Sequence, residues 1–251
     1  MAKLNEITKF LDKELRIRSI KDESKNGLQL KGKPEVKKIV AGVDACLELF
    51  EKAAEKNADM IIVHHGLLWG KNPLKRPREI LRKRISLLKN RRISLYACHL
   101  PLDVHPRLGN NFQLSLLFKI KNPRPFADYH GKKIGFYGDM TKPMKIKEFI
   151  KYVAKTLGKP KTLLFGSKIV KKLGIISGGG SSALMENIAG IDTLLLGEHN
   201  HSAYHYAKER KINVVSAGHY ITETFGIKAV TDELKKMFDV ETEFIDIPTG
   251  L

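Results

Sequence analysis

MIIVHHGLLWG, residues 60–70, places two histidines at the end of an apolar run and closes them with a glycine. Met60, Ile61, Ile62 and Val63 show neither helical periodicity nor alternation. That is the pattern of a strand buried on both faces of a parallel sheet. Working outward, VKKIVAGVD (36–44) reads as a strand ending at Asp44, and CLELFEKAAEKNA (46–58) as the helix leading to Met60. Downstream, REILRKRISLLKN (78–90) reads as a helix and RISLYACH (92–99) as a strand ending at His99. Strands alternating with helical stretches of this length specify βαβ units. The fold class is therefore α/β, with mostly parallel sheets.

The second half repeats this order. KKLGIISGGG (171–180) reads as a strand running into a glycine-rich turn, and SSALMENIA (181–189) as a short helix. IDTLLLGEH (191–199) is a strand, SAYHYAKERK (202–211) a helix and INVVSAGH (212–219) a strand. Upstream, EITKFLDKEL before GLQL matches IKEFIKYVAKTL before TLLFGS. Asp44 and His64 are twenty residues apart, as are Gly179 and His199; Asp103 follows His99 by four residues, as Glu223 follows His219. These parallels predict an internal duplication. KNPRPFADYHG (121–131), with two prolines and a glycine, marks a boundary between two related α/β domains, 1–122 and 123–251.

The remaining composition limits the function classes. With 42% hydrophobic and 29% charged residues, the chain reads as a soluble globular protein. No apolar stretch reaches the length of a membrane span. The first residues read as an amphipathic helix with Leu4, Ile7, Leu11 and Leu15 on one face, not as a secretory signal. No membrane association and a cytoplasmic location are expected. Cys46 and Cys98 sit in or beside apolar runs and read as buried thiols rather than a disulfide framework. The net charge is +18, and its excess is concentrated. Lys71–Arg92 carries ten basic residues against Glu79, and Lys121–Lys172 carries fourteen against Asp128, Asp139 and Glu148. Such stripes either face solvent or attract a polyanion such as nucleic acid.

In open α/β sheets, ligands gather beyond the carboxyl ends of the strands. His64, His65, His99, His199 and His219 all fall at such ends, so two halves facing one another would bring their histidines and carboxylates into a cleft. Imidazole nitrogens with carboxylate oxygens suit divalent Zn, Fe, Mn, Co or Ni. Adjacent histidines on a strand diverge, which suits two ions better than one. Carboxylates then bridge, and Asp103 and Glu223 are placed to do so. His219 completes the set, with Glu223 on the same face if a helix begins there. The candidate metal ligands are thus His64, His65, Asp103, His219 and Glu223, with His99 as an orienting neighbour. Any one of these histidines alone also fits core packing. Glu198 and His201 are candidate acid or base groups, and His201 and His205 would share a helical face. His105 and His130 read as loop residues. Gly178, Gly179 and Gly180 form either a phosphate-binding turn or simply a tight turn. The turn is not a P-loop, and the sequence singles out no specific Ser-His-Asp triad.

NGLQL, IIVHHGLLW, YACHLPLD, GGGSS, LLLGEHNH and SAGHYITE, in this order, resemble the Ngg-interacting-factor-like family, whose members carry the name GTP cyclohydrolase type-two homologues. The likeness spans nearly the whole chain. It implies two related α/β domains, a dinuclear metal site in the cleft between them with those five ligands, and ring-shaped homohexamers built as trimers of dimers. It also implies GTP ring opening. Two features depart from the pattern: a tryptophan and an aspartate are usual before Asn-Gly, where this chain has KDESKNGLQL, and Gly66 stands where proline is common. Two functions are therefore expected in competition. One is a metal-dependent hydrolase of nucleotide or phosphate-containing substrates; the other is a basic, ring-shaped nucleic-acid-binding or regulatory protein with structural metals.

Overall fold

The computed structural model describes residues 1–71, 78–186, 188 and 190–251. Its elements run β1 (Ala2–Lys3), α1 (Leu4–Glu14), β2 (Gly27–Leu30), β3 (Glu35–Val36), β4 (Lys38–Asp44), α2 (Leu47–Glu55), β5 (Met60–His65), α3 (Arg78–Arg91) and β6 (Ser94–Ala97). There follow α4 (Leu100–Asp103), α5 (Asn110–Leu117), β7 (Ile120–Tyr129), β8 (Lys132–Lys145), α6 (Ile146–Leu157), β9 (Lys161–Leu164) and β10 (Ile169–Gly179). The last are β11 (Thr193–Glu198), α7 (Ala203–Glu209), β12 (Asn213–Ser216), α8 (His219–Thr222), α9 (Thr224–Met237) and β13 (Glu241–Phe244). Among the described residues no helix is long and apolar enough to cross a membrane.

The chain divides into two compact units: Met1–Leu102 with Ile227–Ile247, and Asp103–Gly226 with Pro248–Leu251. In the first, the sheet order is β13-β4-β5-β6-β2. Every pair is parallel except β2 on β6. Ile61, Val63 and Leu95 of its central strands pack against Leu49, Phe50 and Ala53 of α2 and Leu81 and Leu88 of α3. Each large side chain buried this way contributes about 1.5–3 kcal/mol. The unbroken apolar run at 60–63 is thus a central strand, as its pattern requires.

In the second unit the order is β7-β8-β10-β11-β12-β9. Only β10, β11 and β12 are mutually parallel; β8, β7 and β9 add antiparallel pairs. This sheet is mixed, so the mostly parallel expectation holds for its centre alone. Phe149, Val153 and Leu157 of α6 join Leu114 and Phe118 in one core, while Leu194, Leu196 and Val214 join Ala203 and Ala207 in another.

Residues 121–131, expected as a boundary, form most of β7 and its turn. Tyr129 pairs with Lys132, leaving a two-residue loop in which His130 (φ 53°) and Gly131 (φ 79°) both have positive φ. That is the hairpin turn that fits the twist of its strands. Pro123 and Pro125 are tolerated because β7 is an edge strand. Residues 103–122 belong to the second unit and 227–247 to the first, where β13 extends the sheet beside β4. The expected short helix at 181–189 is a 3₁₀ turn over Ser181–Met185, and residues 187 and 189 lie outside the described set.

The duplication shows in topology: β4-β5-β6-β2 and β10-β11-β12-β9 have the same order and directions, and each edge strand follows its helix, α1 or α6. It also shows in side chains. Asp59, just before β5, accepts hydrogen bonds from the Lys37 and Lys38 N–H groups; Asp192, just before β11, accepts them from Lys171 and Lys172. Gly32 N–H donates to Ser94 Oγ at the start of β6, and Gly166 N–H donates to Asn213 Oδ1 at the start of β12.

Candidate metal centre

The end of β5 delivers His64 fully buried and His65 half-buried. The strand direction makes them diverge, yet their ring centroids remain 4.7 Å apart. His99, just beyond β6, lies 5.1 Å from His64 and 5.4 Å from His65. One nitrogen from each of the three rings lies within 4.8 Å of the others, close enough for a shared cation.

Each ring is held through Nδ1. His64 Nδ1 lies 2.9 Å from the Cys98 carbonyl, and His65 Nδ1 lies 2.8 Å from Asp44 Oδ1. His99 Nδ1 lies 2.9 Å from Asp22 Oδ1. Carbonyls and ionised carboxylates only accept, so Nδ1 carries the proton and Nε2 the lone pair of each neutral ring. Asp22 also accepts from Leu100 N–H and Asn26 Nδ2, while Asn26 Oδ1 accepts from His99 N–H. Burial would raise the Asp22 carboxyl, but these partners, His99 foremost, bring it down to about 2. Trp69 closes this side with its indole edge-on to His99, ring centroids 4.9 Å apart.

In the second unit, His219 opens α8 and Glu223 caps it, so four residues of helix put both on one face. His219 Nε2 lies 3.3 Å from Glu223 Oε1, and its Nδ1 lies 2.9 Å from Glu198 Oε1. Glu223 is buried. Its hydrogen bond to His219 is the main cause that raises the imidazole to about 9, against the opposing effect of burial and with help from both carboxylate charges. Asp103, the last residue of α4, is buried and accepts from Asn110 Nδ2 at 2.9 Å and Ser177 Oγ at 3.3 Å.

Gly178 explains the glycine-rich turn. Its φ is 60°, and a Cβ there would collide with Glu223 Oε1 and come within 3.2 Å of His219 Nε2. Its N–H donates to Thr222 Oγ1, and Gly179 pairs with Glu198 in the ladder. The turn therefore makes room for the imidazole–carboxylate pair. Its first N–H is committed to a hydroxyl, unlike a phosphate cradle, and Gly180 leads only into the 3₁₀ turn.

The remaining candidates separate. His199 Nδ1 lies 2.6 Å from Ser216 Oγ, and burial, then Lys161, lowers its pKa. His201 is exposed and precedes α7, which begins at Ala203, so it shares no helical face with His205. His105 Nδ1 accepts from Arg107 and Leu108 N–H groups and caps a turn. Sequence reasoning missed Asp22 and Asn26. Their only signal was the asparagine of the Asn-Gly pair and an aspartate displaced four residues ahead of it.

The donor set fits a divalent cation: imidazoles held at Nδ1, a buried acid against Nε2 of His219, and a glycine where a side chain would crowd that pair. The molecule is an α/β protein with a duplicated βαβ core and imidazole–carboxylate clusters at its strand ends. The sequence model of the family described as Duf34/NIF3 (NGG1p interacting factor 3) matches residues 2–250, and the chain belongs to that family. A Pyrococcus horikoshii protein named GTP cyclohydrolase 1 type 2 homolog is 44% identical over 249 residues, covering 98% of this chain and 99% of that one. The structure of protein ybgI, of unknown function, has a TM-score of 0.92 at 34% identity, covering 100% of both chains. TTHA1606 from Thermus thermophilus has a TM-score of 0.90 at 36% identity, again covering 100% of both.

Proposed function

We propose that the chain is a metal-dependent hydrolase acting on nucleotide or phosphate-containing substrates, with His64, His65, Asp103, His219 and Glu223 holding two divalent transition-metal ions. The observation that carries this reading is the shared anchoring of the imidazoles, each held at Nδ1 by a carbonyl or a carboxylate. Divalent cations in such a site lower the pKa of water and neutralise charge developing in the transition state. The chain's own part is positional. The Cys98 carbonyl and Asp44 hold the paired histidines, and Asn110 and Ser177 hold the Asp103 carboxylate. His99, anchored by Asp22, puts a further imidazole beside the paired histidines. The name shared by relatives, GTP cyclohydrolase 1 type 2 homolog, favours a purine nucleotide among the substrates to be tried first.

Purified protein reconstituted with Co²⁺ or Mn²⁺ should retain about two ions per chain. Asp103→Ala and His219→Ala should lose them, and a screen of nucleotides and phosphoesters should show hydrolysis that Glu223→Ala abolishes. Wild-type protein that retains no metal would overturn the reading.

A second reading, polyanion binding, is favoured by the exposure of Lys121, Arg124, Lys132, Lys133, Lys142 and Lys145 on β7 and β8. Part of the other stripe, residues 72–77, lies outside the described set. DNA affinity that falls steeply with salt and survives metal removal would support this reading. Light scattering would show whether a homohexamer accompanies either function.

A further inference from the structure

We infer that Asp44 and Glu198 are positioning residues that hold His65 and His219 at Nδ1 and turn Nε2 of each ring toward a cation, with the buried Glu223 beside Nε2 of His219 as a neighbouring ligand; this rests on the metal reading above. Asp44 ends β4 and reaches the ring of His65, the last residue of the adjacent β5, at 2.8 Å. Glu198 ends β11 and reaches the ring of His219, beyond the adjacent β12, at 2.9 Å. In both cases the histidine follows its acid by 21 residues.

Duplication did not copy one pair from the other. In the first unit's ladder Asp44 stands opposite His65, and in the second Gly179 stands opposite Glu198. The counterpart of His65 is therefore Glu198, and the counterpart of Asp44 is a glycine with no side chain. The second pair sits one strand further along its sheet. An inherited contact would have kept its strand address, as Asp59 and Asp192 kept theirs. The same geometry arose separately in each half, as expected if the orientation of the ring is what matters.

The chemistry gives the reason. A metal-binding imidazole must be neutral with its lone pair toward the ion, and a carboxylate on the other nitrogen fixes the tautomer and raises donor strength. His64 obtains the same orientation from the Cys98 carbonyl. Neither acid is needed for packing: the Asp44 and Glu198 side chains are 39% and 55% exposed.

The test is a Co²⁺ titration of the full chain, followed by visible absorption, for wild type, Asp44→Ala, Asp44→Asn, Glu198→Ala and Glu198→Gln. The alanine variants should bind Co²⁺ about 10–100-fold more weakly with unchanged melting temperatures. The amides keep an acceptor oxygen without its charge and should fall between. In metal-free Asp44→Ala, ¹⁵N-histidine spectra at a pH where the ring is neutral should show His65 leaving the Nδ1–H form. Alanine variants that bind Co²⁺ as wild type does, or an unaltered His65 tautomer, would overturn the inference. Wild-type protein that takes up no Co²⁺ would overturn the metal reading instead, and the tautomer measurement would still decide whether Asp44 sets the ring.

Discussion

At the N-terminal ends of their strands the two units are built alike, and at the C-terminal ends they are not. At the first, an aspartate before the middle strand ties down two successive lysine N–H groups, and a glycine N–H meets a polar side chain opening the next strand. At the second, the first unit gathers the three imidazoles of His64, His65 and His99, while the second sets one imidazole between two acids. The comparison teaches that what holds the sheet together stayed with both copies, whereas the ends where α/β proteins place ligands diverged.

The largest test of this comparison is at Asp59 and Asp192. Removing either carboxylate strands two N–H groups that had a charged acceptor. Asp59→Ala and Asp192→Ala should each lower stability by about 2–4 kcal/mol, read by urea unfolding. Similar losses would sustain the structural equivalence. A loss at one site and none at the other would break it.

Much of this was legible in the sequence because it depends on periodicity and order. The apolar runs at 60–63 and 194–196 had to be central strands, and the α1–β2 and α6–β9 matches survive as edge strands on corresponding sides. Four-residue spacing put His219 and Glu223 on one helical face. Three features were hidden because they are set by pairing rather than by spacing. The match of His64 to His199 by equal separation fails because the ladder partners Leu173 and Thr193 are already one residue closer in sequence than Ile39 and Met60, and a bulge in β10 between Ile176 and Gly179 shifts the register by one more. The β7–β8 hairpin was masked by two prolines that an edge strand accommodates. Asp22 acts on His99 across 77 residues, a distance that no local pattern encodes.

Gly178→Ala sharpens the contrast at the C-terminal ends. A left-handed φ costs an L-residue about 1–2 kcal/mol, and the new methyl group would also displace Glu223. The first unit has no such demand, since Val43 and Asp44 occupy the corresponding stretch with side chains. Thermal melts should show the destabilisation, and Co²⁺ affinity should fall with it. A variant as stable as wild type, with unaltered Co²⁺ binding, would show that Glu223 does not need the space the glycine leaves.

The smallest effect separates the two aspartates from each other. Asp59 Oδ1 has a cation, Lys33 Nζ at 2.7 Å, where Asp192 Oδ1 has the Thr193 hydroxyl at 2.8 Å. Burial would raise the Asp59 carboxyl, but Lys33 and the two N–H groups together lower it. A depressed carboxyl contributes stability that is present above its unfolded pKa and lost as the pH falls through the folded value. Lys33 is 44% exposed, so its removal should cost less than about 1 kcal/mol at neutral pH. Without that charge the folded pKa rises, and in Lys33→Ala the acid loss of stability should begin at higher pH than in wild type. Unfolding measured between pH 6 and pH 3, about the range in which carboxylates titrate, would show the two curves separating on the acid side. Superimposable curves would mean that the backbone N–H groups alone hold Asp59 ionised, and that the two units match at this point after all.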